Sequence, residues 1–217
     1  NYAANKDALV QVVTYGVGTP LSSFMSSTTP MHSGDGPLFP YDLEKAKSLM
    51  AESGFPDGFK TSILTIAGNQ DDLGITTALQ QMWKEIGIDL EIRQVDNASR
   101  TEQYRNGTFE MRTGGWTNDI ADASQITSYF AYSPTIDALH SGWKNEEVDK
   151  LFEASQKEMD TAKRAEQFAR IQEIFNATGP TIPLYETPYP VALGKNVNGF
   201  IQIPLGNNIF RETWLAK

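Results

Sequence analysis

The chain has 217 residues, of which 40% are apolar, carries a formal charge of −9 at pH 7 and contains no cysteine. This length and apolar share suffice for the core of one large or two small domains and exclude a disordered or fibrous chain. The negative charge argues against a nucleic-acid partner or an anionic membrane surface, and the lack of thiols excludes cysteine catalysis, cysteine-ligated zinc and disulfides.

No apolar run nears the roughly 20 residues of a membrane span, and the opening Asn1-Tyr2-Ala3-Ala4-Asn5-Lys6 lacks the basic and apolar regions of a signal peptide. The chain therefore reads either as cytosolic or as a mature or truncated piece. Residues 2–15 predict a helix with Leu9, Val12 and Val13 on one face, ending near Gly16. Residues 18–40 are dense in Gly, Pro, Ser and Thr, and a connection this long is either functional or disordered. Asp42 is a candidate N-cap for a helix with Leu43, Ala46 and Met50 on one face, and Gly54 is expected to end it in the left-handed position.

Pro56-Asp57-Gly58 turns the chain into a strand over 59–66, followed by a helix from about 72 to 86 with Ile75, Leu79, Met82 and Ile86 at helical spacing. Gly87 stops it, and residues 88–93 alternate apolar and charged, the period of a half-buried strand. A short polar helix over 99–105 and a strand over 108–113 complete a β-α-β-α-β order, which builds a parallel or mixed sheet. Residues 124–144 read as irregular and aromatic. Asn145 then caps a helix that buries Val148, Leu151, Phe152 and Met159, and a second helix from Thr161 buries Phe168, Ile171, Ile174 and Phe175. Residues 182–185 and 199–201 read as strands, the first at an edge because Pro183 cannot donate to a ladder, and the tail finishes at Trp214-Leu215.

Ligands of open α/β sheets lie beyond the carboxyl ends of the strands, where Gly114-Gly115-Trp116-Thr117-Asn118-Asp119 follows the third strand. The glycines would let the backbone approach a ligand or turn sharply, Trp116 offers an apolar plate with one N–H, and an ammonium can lie over its ring or pair with Asp119. A plainer alternative makes the glycines a turn, Trp116 a core residue and Asp119 a cap. A hydrolase reading would use Asp119 and Asp122 as paired carboxylates. His32 and His140 lack metal-ligand spacing, and no dinucleotide, P-loop or serine-elbow motif occurs, so no metal or cofactor is expected.

Several segments together resemble the solute-binding proteins of bacterial peptide and nickel ABC importers, family 5. They are residues 1–9, Tyr41-Asp42-Leu43-Glu44-Lys45-Ala46-Lys47 running into Gly54-Phe55-Pro56-Asp57-Gly58-Phe59, Gly87-Ile88, Gly115-Trp116-Thr117-Asn118-Asp119, residues 143–149 and Pro183-Leu184-Tyr185. The resemblance implies a periplasmic-binding-protein-like α/β lobe with a mixed, largely parallel sheet flanked by helices, in a periplasmic or extracellular membrane-associated receptor. Residues 1–190 would form the second lobe of two, and 191–217 a tail crossing back to a first lobe mostly absent from this chain. It implies a small-molecule or short-peptide ligand, an ABC permease as partner and no enzymatic activity. In the peptide binders the aspartate three residues after this tryptophan pairs with the ligand's α-ammonium, a position held here by Asp119. Gly115, Trp116, Thr117, Asn118, Asp119 and Asp122 are the expected binding residues. After Asp119 the chain departs from the family's usual Asp-Pro-Asp with Asp122-Ala123-Ser124. Other members bind nickel chelates, oligosaccharides, opines or glutathione.

Overall fold

The computed structural model describes residues 1–36, 38–135, 140–203 and 205–217. The expected irregular stretches 18–40 and 124–144 therefore fall outside the described residues at Pro37 and at 136–139. A parallel sheet in the order β3-β2-β4 organises one half of the molecule, formed by β2 (Phe59–Ile66), β3 (Ile88–Val95) and β4 (Met111–Arg112). The helices α3 (Gln70–Lys84) and α4 (Asn97–Asn106) connect them in the expected β-α-β-α-β order.

Register is set by two glycines. Gly58 (φ +87°) and Gly87 (φ +81°) sit side by side, and a Cβ on Gly58 would lie 2.0 Å from the Gly87 carbonyl oxygen. Their close approach aligns the strands that start directly after them, Phe59 opposite Ile88. The strand expected over 108–113 is shorter, pairing only Met111 and Arg112 with Ile63 and Leu64. Its physical reason is Glu110, whose carboxylate accepts the Ser62 N–H at 2.5 Å and both the Ser62 and Thr61 hydroxyls, taking the place of a backbone partner.

Helices cover one face of this sheet. α1 (Lys6–Thr14), α2 (Leu43–Glu52) and α3 pack Leu9, Val13, Ala46, Leu79 and Trp83 onto Ile63 and Leu90. Leu9 and Val13 of the expected α1 stripe are buried, but Val12 is 66% exposed, and Lys6 and Val10 complete the buried face in its place. An apolar count leaves out Lys6, which is buried because its ammonium donates to the Leu38 carbonyl. Burial holds that lysine down to a pKa of about 8. α2 starts at the Asp42 cap as expected, but Gly54 does not adopt a positive φ; the helix ends where the Ser53 N–H and hydroxyl both donate to the Met50 carbonyl.

A second core is helical. α5 (Ala123–Phe130), α6 (Glu146–Ser155) and α7 (Thr161–Thr178) bury Ile126, Val148, Phe152, Phe168, Ile171 and Phe175 together with Phe24 and Met25 from the irregular segment. Part of the stretch expected to be irregular, 123–130, is thus a helix. Met159 is 93% exposed, because α6 stops at Ser155 before reaching it. The described part of 18–40 is ordered against α7 by Gln172, fully buried. Its oxygen accepts the Ser23 hydroxyl and the Ser33 N–H at 3.0 Å each, and its amide donates to the Met31 and Phe168 carbonyls.

Among the described residues, the remaining strands form three separate antiparallel ladders of two residues each. β1 (Thr19–Pro20) pairs with β5 (Tyr185–Glu186), β6 (Val197–Asn198) with β9 (Trp214–Leu215), and β7 (Ile201–Gln202) with β8 (Asn208–Ile209). The mixture of strand directions therefore lies outside the central sheet, and the strands expected over 182–185 and 199–201 start only at Tyr185 and Ile201.

Candidate functional site

The chain leaves the central sheet at Thr113, whose N–H reaches the Leu64 carbonyl at 3.4 Å. The Thr113 carbonyl in turn accepts from Arg100 of α4 at 3.0 Å and from Arg112 at 3.3 Å, so two guanidinium groups fix the point where the loop departs. Arg112 lies over the Tyr104 ring, 4.3 Å from its centroid. This explains Gly114, where a Cβ would stand 2.9 Å from Arg112 Nη1, whereas a Cβ on Gly115 would meet nothing within 4 Å. Neither glycine has a positive φ and neither lies in a turn or bend, so the sharp turn allowed for in the sequence does not occur.

Beyond the glycines, Trp116 is 39% exposed and belongs to neither core. Its ring lies against Tyr129 at 4.5 Å and edge-on to Phe130 at 5.8 Å, both on α5, while Nε1 donates to Asn118 Oδ1 at 2.9 Å. The indole N–H is therefore used within the loop, and the exposed aromatic surface is shared by Trp116 and Tyr129. The Thr117 hydroxyl is bonded to the Tyr189 hydroxyl, just after β5.

Asp119 and Asp122 occupy different environments. Asp119 is exposed; its Oδ2 accepts from Gln125 Nε2 at 2.8 Å, and its own N–H donates to Gln125 Oε1 at 2.6 Å. Asp122 is the N-cap of α5, accepting the Ser124 N–H at 2.8 Å, and meets Arg164 of α7 through two parallel bonds of 2.8 Å. Hydrogen bonding to Arg164 holds the Asp122 carboxyl well below the usual carboxylate range, outweighing the opposite effect of burial. Arg164 also donates to the Ser155 carbonyl and lies over Phe168, so Asp122 is joined to the helical core. A carboxylate held ionised in this way cannot protonate a leaving group near neutral pH.

Of the expected residues, Asn118 bonds to Trp116 on the loop, Asp119 to Gln125 of α5, Thr117 to Tyr189 and Asp122 to Arg164 of α7. Sequence reading missed Tyr129, Gln125, Tyr189 and Arg164. One local signal was present: Asp122-Ala123-Ser124-Gln125 has the N-cap-x-x-Gln spacing of a capping box before the apolar Ile126, and marks the start of α5. His32 is bonded to Ser22 and His140 lies edge-on to Tyr104. Among the described residues no three acidic or imidazole groups converge as a metal site, and no helix is long and apolar enough to cross a membrane.

The family model of the bacterial extracellular solute-binding proteins, family 5 (middle part), matches residues 1–137. Heme-binding protein A of Haemophilus influenzae is 26% identical over 215 residues, covering 97% of this chain and 39% of that protein. The glutathione-binding protein GsiB of Salmonella choleraesuis is 28% identical over 213 residues, covering 94% of this chain and 41% of that protein. The solved structure of HbpA2 from Haemophilus parasuis superposes with a TM-score of 0.82 at 27% identity, over 100% of this chain and 44% of that one. The chain thus spans about two fifths of the length of these curated relatives. With the matched segment running from α1 through the Trp116 loop, and the fold shared with HbpA2, the chain belongs to the bacterial extracellular solute-binding proteins of family 5.

Proposed function

We propose that this chain is the second, ligand-binding lobe (residues 1–190) of a receptor that captures a short peptide outside the cytoplasmic membrane and hands it to an ABC permease. The tail, 191–217, returns to the first lobe. The observation that carries this reading is Asp119. It is an exposed carboxylate with Oδ1 free of hydrogen bonds among the described residues, on the same loop as Trp116, whose half-exposed ring meets Tyr129, and beyond the carboxyl end of a parallel sheet. A ligand ammonium fits that carboxylate, and the ligand's apolar part fits the aromatic surface. Gly115 leaves room for the ligand backbone, and the amide of Asn118 is placed to contact it. The glutathione-binding relative supports the class, since glutathione is a tripeptide with a free amino group.

Asp122 serves in this reading as the anchor beneath the loop. That assignment, together with the family's binding role, favours a non-enzymatic receptor over a hydrolase with paired carboxylates. The test uses the full-length protein, purified with whatever it retains and denatured, with the released small molecules identified by mass spectrometry. Short peptides or other amine-bearing solutes are expected, and Asp119→Asn is expected to lose them. Release of a porphyrin, a sugar or a metal chelate, or of nothing, would overturn the peptide assignment and the role given to Asp119.

A further inference from the structure

Gln125, in the first turn of α5, touches Asp119 twice. Its Oε1 accepts the N–H groups of Asp119 and Ile120 at 2.6 and 3.2 Å, and its Nε2 donates to Asp119 Oδ2 at 2.8 Å. The orientation of this amide is forced. Two backbone N–H groups can only donate, so the atom facing them must be the oxygen, which leaves the NH2 group to face the carboxylate. In an ordinary capping box the Gln side chain returns to the N–H of the cap residue; here it reaches further back, to the residues three and two before the cap.

The helix that carries Gln125 is itself pinned. Its cap, Asp122, is bonded through both oxygens to Arg164 on α7, so a continuous run of bonds joins the helical core to the Asp119 carboxylate through Asp122, α5 and Gln125. An exposed aspartate would otherwise sample several rotamers and lose that freedom when a ligand binds.

We propose that Gln125 is a positioning residue for the ligand's ammonium contact: it holds the Asp119 carboxylate by Oδ2 in one orientation and leaves Oδ1 for the ligand, so the site is preset before the ligand arrives. This rests on the reading that Asp119 meets an ammonium. Gln125 does not touch the ligand in this scheme; it acts through Asp119.

The experiment uses the full-length protein and an equimolar pool of unprotected tripeptides, with the same pool N-acetylated as control. The affinity of a retained tripeptide is measured by calorimetry for wild type, Gln125→Met, Asp119→Asn and the double variant. Gln125→Met is expected to bind about tenfold or more weakly, as loss of a hydrogen bond to a charged group implies. Because Gln125 acts through Asp119, the double variant is expected to bind within about twofold of Asp119→Asn. An unchanged Gln125→Met, or losses that simply multiply in the double variant, would overturn the proposal while leaving the ammonium reading intact.

Hydrogen exchange at the Asp119 and Ile120 amides tests the lock without any ligand. Both amides are expected to exchange at least about tenfold faster in Gln125→Met than in wild type. Equal exchange in wild type and Gln125→Met would overturn the proposal whatever the pool shows. A wild type that retains no tripeptide but shows the expected exchange would sink the peptide reading and uphold the lock.

Discussion

Asp119 and Asp122 are three residues apart and chemically identical, yet their surroundings give them different tasks. Asp122 is a cap and an ion-pair partner, with side-chain exposures of 31% for Asp122 and 18% for Arg164. Asp122→Asn keeps a good N-cap, so it isolates the ion pair. Breaking it is expected to cost about 2–3 kcal/mol at neutral pH, below the value for a fully buried pair because water still reaches both groups. The pH dependence has a definite sign. The folded carboxyl is depressed below its unfolded value, so the contribution is fully present above the ordinary aspartate range and is lost only as pH falls through the lower folded value. Urea midpoints of wild type and variant are therefore expected to differ at neutral pH and to converge in strongly acidic solution. A constant difference across that range would exclude the ion pair as its source. Trp116 and Asp119 stood out in the sequence because an aromatic and a carboxylate after paired glycines are unusual on a loop. Gln125 did not, because a polar residue at the start of a helix ordinarily faces water.

At the level of elements, local period and capping chemistry were legible: Asn145, Asp42 and the alternation from Ile88 onward marked α6, α2 and β3 where they occur. Departures came where a side chain replaced a backbone partner, as Glu110 does beside β2, or where a polar residue was buried, as with Lys6 in α1. The irregular segment 18–40 is the clearest case. Its glycines and prolines leave only the two-residue strand β1 as regular structure among the described residues, and these take their order from Gln172 on α7, 149 residues from Ser23. Gln172→Leu would leave the Ser23 hydroxyl, the Ser33 N–H and the Met31 carbonyl without that partner, and is expected to destabilise the protein by about 3 kcal/mol. Denaturant unfolding at constant m-value checks this; a change under about 1 kcal/mol would show that water satisfies those groups instead.

For the whole molecule, the tail consists of two-residue ladders, which have little stability alone, and it exposes Phe210, Trp214 and Leu215 at 64%, 58% and 66%. Exposed large apolar groups of this kind suit a surface that packs against another part of a protein. In the two-lobed reading the other lobe supplies that cover and also the remaining contacts to the ligand. The 217-residue chain alone is therefore expected to bind short peptides no more tightly than about millimolar, and micromolar binding in calorimetry would overturn the two-lobed reading. The order of strands and helices, the helix caps and the position of the Trp116 loop were set by residues near one another in the chain, because period, capping and turn chemistry act over a few residues. The direction of Asp122, the burial of Lys6 and the ordering of the described part of 18–40 were decided only by tertiary structure. Each depends on one buried or paired polar group, and its partner, Arg164, Leu38 or Gln172, is brought near only when the helices pack.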